Sequence, residues 1–163
     1  MKLHTVTDLT SPSALRDSVT RVHNSRSNKY FFIVEAFQEE RDISEVSYLW
    51  SRCSRETLRK RFHNSQATEF PRHMIDYIIP QIGKGKAWLI YQDGSTVGVS
   101  TCVYGATAEE PTEFSILLVD EVQKQGIGSA LAERTKNFYT RPKTVVTEMG
   151  NMGATKLGRK MGL

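Results

Sequence analysis

Apolar positions change period part-way along this chain. Residues 30–37, YFFIVEAF, are β-branched and aromatic and predict a strand. Next, Ile43, Val46 and Leu49-Trp50 recur at helical spacing behind Asp42, a residue type that caps helices. Ser54 is placed to cap a second helix, with Glu56 in its first turn and Leu58 and Phe62 on its buried side. Pro71 suits the start of a third, running through Met74, Ile75 and Ile78 until Pro80 bends or ends it.

From there the spacing turns β-like. Residues 87–91 and 96–104 flank Asp93-Gly94-Ser95, and Asp-Gly between two β-rich runs predicts a hairpin. Residues 112–119 predict a further strand. Residues 126–139 predict a helix with Ile127, Ala130, Leu131 and Phe138 on one stripe, interrupted by Arg134. A strand over 143–147 and a helix over 153–161, with Ala154, Leu157 and Met161 inward, complete the pattern. Upstream, Leu15, Val19 and Val22 fall at i, i+4 and i+7, so residues 13–23 predict a short helix. Residues 1–28 therefore read as a helical N-terminal extension and 29–163 as the domain proper. The order implies an α/β (α+β) domain built on a mixed sheet flanked by helices.

Composition narrows the function classes. The chain has 163 residues, 39% of them apolar and 25% charged, enough for one domain with its own core. No apolar run is long enough to span a bilayer, and the N-terminal segment lacks the apolar centre of a secretory signal. Cys53 and Cys102 form no framework, so a reducing, cytoplasmic setting is expected. His4, His23, His63 and His73 are scattered, and no metal site is expected. The net charge is +4. The basic clusters, Arg59-Lys60-Arg61 and those within 156–160, lie in expected helices without interleaved aromatics, which argues against nucleic acid.

Candidate chemistry gathers at Gln123-Lys124-Gln125-Gly126-Ile127-Gly128-Ser129, between a strand and a helix. The first four amides of a helix lack intrahelical partners, and its dipole adds partial positive charge there, so such a junction suits phosphate oxygens. A side chain at Gly126 or Gly128 is expected to obstruct a diphosphate, while Lys124 adds charge and Ser129 a hydroxyl. A Walker loop needs Gly-Lys-Ser/Thr, where this chain has Gly-Ser-Ala. A dinucleotide fingerprint needs a small residue where Leu131 stands, although Glu148 sits at the expected distance for a ribose ligand. Gly98-Val-Ser100-Thr-Cys102 lacks the second glycine of a hydrolase elbow. Cys102 in a strand reads as a buried structural thiol.

Residues 113–129 resemble the signature of the GNAT superfamily, the acyl-CoA-dependent N-acetyltransferases: strand, short connection, then Gln/Arg-x-x-Gly-x-Gly/Ala opening a helix. A second motif agrees, Asn151, Ala154, Leu157 and Gly162-Leu163, at the spacing of Asn-x-x-Ala-x-x-Leu-x-x-x-x-Gly-Phe. The resemblance covers about residues 29–163. It implies that Ile116, Leu117 and Leu118 pair with the pantetheine arm of CoA. It further implies that Gln123, Lys124, Gln125, Gly126, Ile127, Gly128 and Ser129 hold the pyrophosphate, and that the Asn151 amide bonds the cofactor where the strands diverge. Acetyl-CoA is the implied cosubstrate, with an amine as acceptor.

Acyl transfer to an alkylamine of pKa about 10.4 needs a base near neutral pH. Strand alternation sets Glu113, Ser115, Leu117 and Val119 on one side, and Leu117 or Leu118 could offer an N–H to the thioester oxygen. On the residues alone, Glu113 reads first as an exposed strand-end carboxylate. Ser54-Arg-Glu-Thr-Leu-Arg-Lys-Arg-Phe62 and Thr112-Glu113-Phe114 resemble segments of bacterial protein-lysine acetyltransferases acting on acyl-CoA synthetases, which implies Glu113 as the base. Two positions depart from the family. Gly158 stands where many members have a Tyr that protonates the thiolate, with Tyr104 and Tyr139 as candidates by type only. The family also continues past this point into further strands, so C-terminal strands are expected to be absent here. The strand over 143–147 is then expected to have a bare edge: either the N-terminal extension, a partner chain or a homodimer covers it, or the enzyme is incomplete. The alternative function is a catalytically weak acyl-CoA-binding module.

Overall fold

The computed structural model describes residues 3–6, 19–24, 28–36, 40–62, 84–138, 143–145 and 151–163. One seven-stranded sheet organises them: β1 (Leu3–Val6), β2 (Val19–Asn24), β3 (Lys29–Ala36), β4 (Gly85–Gln92), β5 (Ser95–Val103), β6 (Thr112–Leu118) and β7 (Lys143–Thr144), neighbours in that order. Every pairing through β6 is antiparallel, and β6 pairs with β7 in parallel. Four helices accompany the strands: α1 (Glu40–Arg52), α2 (Arg55–Phe62), α3 (Ile127–Phe138) and α4 (Met152–Met161). The expected mixed, largely antiparallel sheet flanked by helices is what forms, and among the described residues no strand follows β7. No helix among them is long and apolar enough to cross a membrane.

The centre of the sheet follows the binary pattern. Phe31 and Ile33 alternate inward on β3, with Ile33 opposite Ile90 of β4, and Val46, Leu49 and Trp50 of α1 belong to the same buried core. The hairpin between β4 and β5 turns on Asp93 (φ +51°) and Gly94 (φ +78°). Positive φ at both central residues is the two-residue turn whose twist matches antiparallel strands, so the Asp-Gly expectation holds. Ser54 caps α2 as expected, its Oγ accepting from Thr57 N–H at 3.2 Å.

Three expectations need correcting. Val19–Asn24 is a strand, not the end of a helix, and its register sets Val22 opposite Phe31. Val22 is buried, while Arg21 and His23 face the other way onto Tyr30, with Arg21 Cζ 3.7 Å and the His23 ring 4.7 Å from that ring's centroid. Period two, not 3.6, thus governs this stretch. The rest of the expected N-terminal helix and the helix expected from Pro71 lie outside the described residues. Asp42 is buried inside the first turn of α1, which starts at Glu40, so Asp42 is not its cap. β7 is two residues long, and the remainder of the strand expected over 143–147 is not seen as strand at Val145 or lies outside the described residues.

Candidate functional site

The two edges of β6 are unlike. Toward β5 it pairs continuously from Gly98↔Leu118 to Val103↔Glu113. Toward β7 the ladder consists of Thr112↔Lys143 and Glu113↔Thr144, and there it ends among the described residues. Backbone direction follows by alternation. Val119 N–H donates to Val97 O at 3.0 Å and Ser115 O accepts from Ser100 Oγ at 2.9 Å, both toward β5. Leu117 therefore also spends its backbone groups on β5, and its side chain is buried. The backbone groups of Ile116 and Leu118 point the other way, toward the β7 side, where the described ladder ends at Thr144. Of the three β6 residues implied as pantetheine partners, these two turn their backbone away from β5.

Past β6 a 3₁₀ turn, Asp120–Val122, leads into the glycine loop. Lys124 (φ +60°) and Gly126 (φ +90°) both adopt left-handed backbone, and Ala130 N–H closes onto Gly126 O at 3.1 Å. That first helical bond starts at Ala130, which leaves the amides of Ile127, Gly128 and Ser129 outside the α3 ladder. A Cβ at Gly126 would meet nothing within 4 Å, so this glycine serves its φ and borders open space. Gly128 differs. A Cβ there would lie 3.3 Å from Leu157 Cδ1, so the missing side chain lets α4 approach α3.

The other implied residues have structural partners too. Gln123 donates from Nε2 to Thr57 Oγ1 (2.9 Å) and Leu118 O (3.1 Å), and its N–H donates to Asp120 O at 3.2 Å. It braces the loop. Gln125 Nε2 donates to Glu121 O at 2.7 Å. Asn151 caps α4, its Oδ1 accepting from Ala154 N–H at 3.1 Å. Lys124 is exposed at the turn. Ser129 Oγ accepts from Lys160 Nζ at 2.8 Å, so a cation from α4 stands at the start of α3. Nothing in the sequence spacing points to Lys160; only the packing of α4 on α3 brings it there.

Glu113 is partly buried at the start of β6, opposite Val103. Among the described residues its carboxylate makes no hydrogen bond or ion pair. Two residues on, and on the same face, Ser115 Oγ accepts from Arg61 NH2 of α2 at 2.6 Å and shares a proton position with Thr101 Oγ1. At Cys53, beside the end of α1, burial first, then the charges of Asp120 and Glu121, push the thiol up to about 12, which disfavours the thiolate. Cys102 is fully buried.

Several solved structures share this fold. The GNAT domain of PAT from S. lividans superposes with a TM-score of 0.74 at 16% identity, over 88% of this chain and 86% of that one. An acetyltransferase of the GNAT family from Streptococcus pneumoniae gives 0.62 at 16%, over 81% and 83%. The fold is that of the GNAT acetyltransferases. The ribosomal L7/L12 α-N-protein acetyltransferase RimL, in complex with coenzyme A, gives 0.57 at 12%, over 79% and 78%. No protein-family profile and no curated protein matches the chain. The similar structures span diverse GNAT enzymes rather than one acceptor class.

Proposed function

We propose that this chain is an acetyl-CoA-dependent N-acetyltransferase that transfers acetyl directly to a primary amine, with Glu113 as general base. The observation that carries the reading is that β6, with no described partner on its far edge beyond Thr144, runs into a helix start whose first amides lie outside the α3 ladder. An acyl-pantetheine arm is an extended chain of amides. Ile116 offers it an edge N–H and C=O and Leu118 an edge N–H, while the Leu118 carbonyl is already held by Gln123. The amides of Ile127, Gly128 and Ser129, with Lys124 and Lys160 nearby, suit the diphosphate that follows. Open space at Gly126 leaves room for it.

Chemically, nitrogen attacks the thioester carbonyl carbon, the N–C bond forms, the C–S bond breaks and CoA leaves as thiolate. Glu113 takes the amine proton, directly or through water. An edge N–H of β6 steadies the carbonyl oxygen. Gly158 brings no acid to the thiolate, which departs to water. For the acceptor we favour a protein lysine over a small amine, on the likeness of residues 54–62 and 112–114 to protein-lysine acetyltransferases. Gly158 also favours a second reading, an acyl-CoA-binding module with little turnover. The two separate when acetyl-CoA and a panel of amines and lysine peptides are mixed with the protein and free thiol is followed. Thiol release with an acceptor, abolished in Glu113→Gln, supports the enzyme. Binding with release no faster than background hydrolysis supports the module.

A further inference from the structure

One polar cluster next to the loop is not used by that reading. Asp120 accepts from Ser54 N–H (2.9 Å), Ser54 Oγ (2.8 Å) and Thr57 Oγ1 (2.8 Å). Thr57 Oγ1 accepts from Gln123 Nε2, which also holds Leu118 O. A continuous chain of hydrogen bonds thus runs from the start of α2 through the 3₁₀ turn to the loop and the far edge of β6. Burial opposes ionisation of Asp120, but the Ser54 amide, Ser54 hydroxyl and Thr57 hydroxyl outweigh it and hold the carboxyl below its ordinary value.

The helix at the far end of this chain has a small apolar anchor among the described residues. Leu58 is its one buried residue, and Phe62 adds a tilted contact with Trp50 at 5.0 Å. Its C-terminal end is fixed by Arg61 on Ser115, on the face of β6 that carries Glu113. α2 is therefore fastened by polar contacts at both ends: to the cofactor loop by Thr57, and beside the base by Arg61.

Building on the acetyltransferase reading, we propose that Thr57 is a positioning residue. Through Asp120 and Gln123 it registers α2, the wall over the Glu113 face, to the loop that holds the cosubstrate. Thr57 touches neither reactant. Its part is to keep the acceptor wall and the thioester in one frame, where small displacements cost rate rather than affinity.

The test uses the whole chain as wild type, Thr57→Val and Thr57→Ser. Melting temperature, CoA affinity by calorimetry, and kcat and KM for both substrates are measured on each. Valine preserves shape and the Ser54–Asp120 contacts but removes the relay hydroxyl; serine keeps it. We expect Thr57→Val to bind CoA within about twofold of wild type while kcat falls about ten- to a hundredfold, with Thr57→Ser restoring most of it. Three results overturn the inference: kcat unchanged in Thr57→Val; a lowered melting temperature with kcat and KM intact; or lost CoA affinity with kcat intact. Wild type that binds no CoA sinks the acetyltransferase reading itself. Wild type that binds and turns over beside an unaffected Thr57→Val sinks only the positioning role.

Discussion

The two edges of β6 are unlike. On the β5 side, alternate backbone groups are committed, and Val99 and Leu117 face one another in the core. On the β7 side the described pairing stops after Glu113 and Thr144, and the strand runs on toward a helix start. A strand closed on both sides has no backbone left for a ligand, and one open on both has nothing to fix it. In the proposed function, stability and recognition fall to opposite edges of the same seven residues. That separation can be attacked from each side.

The largest effect is expected at the chemistry. Glu113→Gln should lower kcat by about 10²–10⁴-fold while CoA affinity holds, read from initial rates and calorimetry. On the closed edge, Leu117→Ala should cost about 2–5 kcal/mol of unfolding free energy, because it hollows a packed site. Ile116→Ala, half-buried on the opposite face of the sheet, should cost only about 1 kcal/mol in the same denaturant titration. Equal costs would mean the two faces of β6 are packed alike. On the open side, Gly126→Ala puts a Cβ at φ +90°, a strain of about 1–2 kcal/mol. It should also weaken CoA binding about tenfold, roughly one hydrogen bond's worth.

A smaller effect is set by pH. Asp120 titrates below its ordinary value of 3.8 when folded, so its stabilising bonds are fully present above that pH and fade as pH falls through the folded value. The melting-temperature gap between wild type and Asp120→Asn should be full at neutral pH and close in acid. A gap that widens in acid contradicts the assignment. Smallest of all, a thiol reagent at pH 8 should modify neither cysteine quickly before denaturation, since Cys53 is held mostly as thiol and Cys102 is buried.

Local signals were legible in the sequence wherever one short stretch determines its own conformation. Asp93-Gly94 dictates its turn, Ser54 its cap, and Gly126 its left-handed bend. Val19–Asn24 misled because Leu15, Val19 and Val22 fit a helical stripe, whereas the burial of Val22 comes from pairing with Phe31, which no local window contains. Asp42 is similar: as a residue type it caps, but here it sits buried in the first turn. In the site, the glycine loop was readable as a helix start, yet the reason for Gly128 lies in Leu157 on another helix. The Asp120 cluster joins residues more than sixty positions apart, as does the Thr57–Gln123 bond, and spacing carries no trace of either. Which of Ile116, Leu117 and Leu118 offers its backbone depended on the register with β5.

Saturating a labelled sample with CoA and following backbone amide signals tests the central assignment most directly. The account predicts large shifts at Ile116, Leu118 and Gly126 through Ser129, with Leu117 and the β4–β5 hairpin nearly still. Shifts confined to the β2–β3 surface, or none at all, would contradict it.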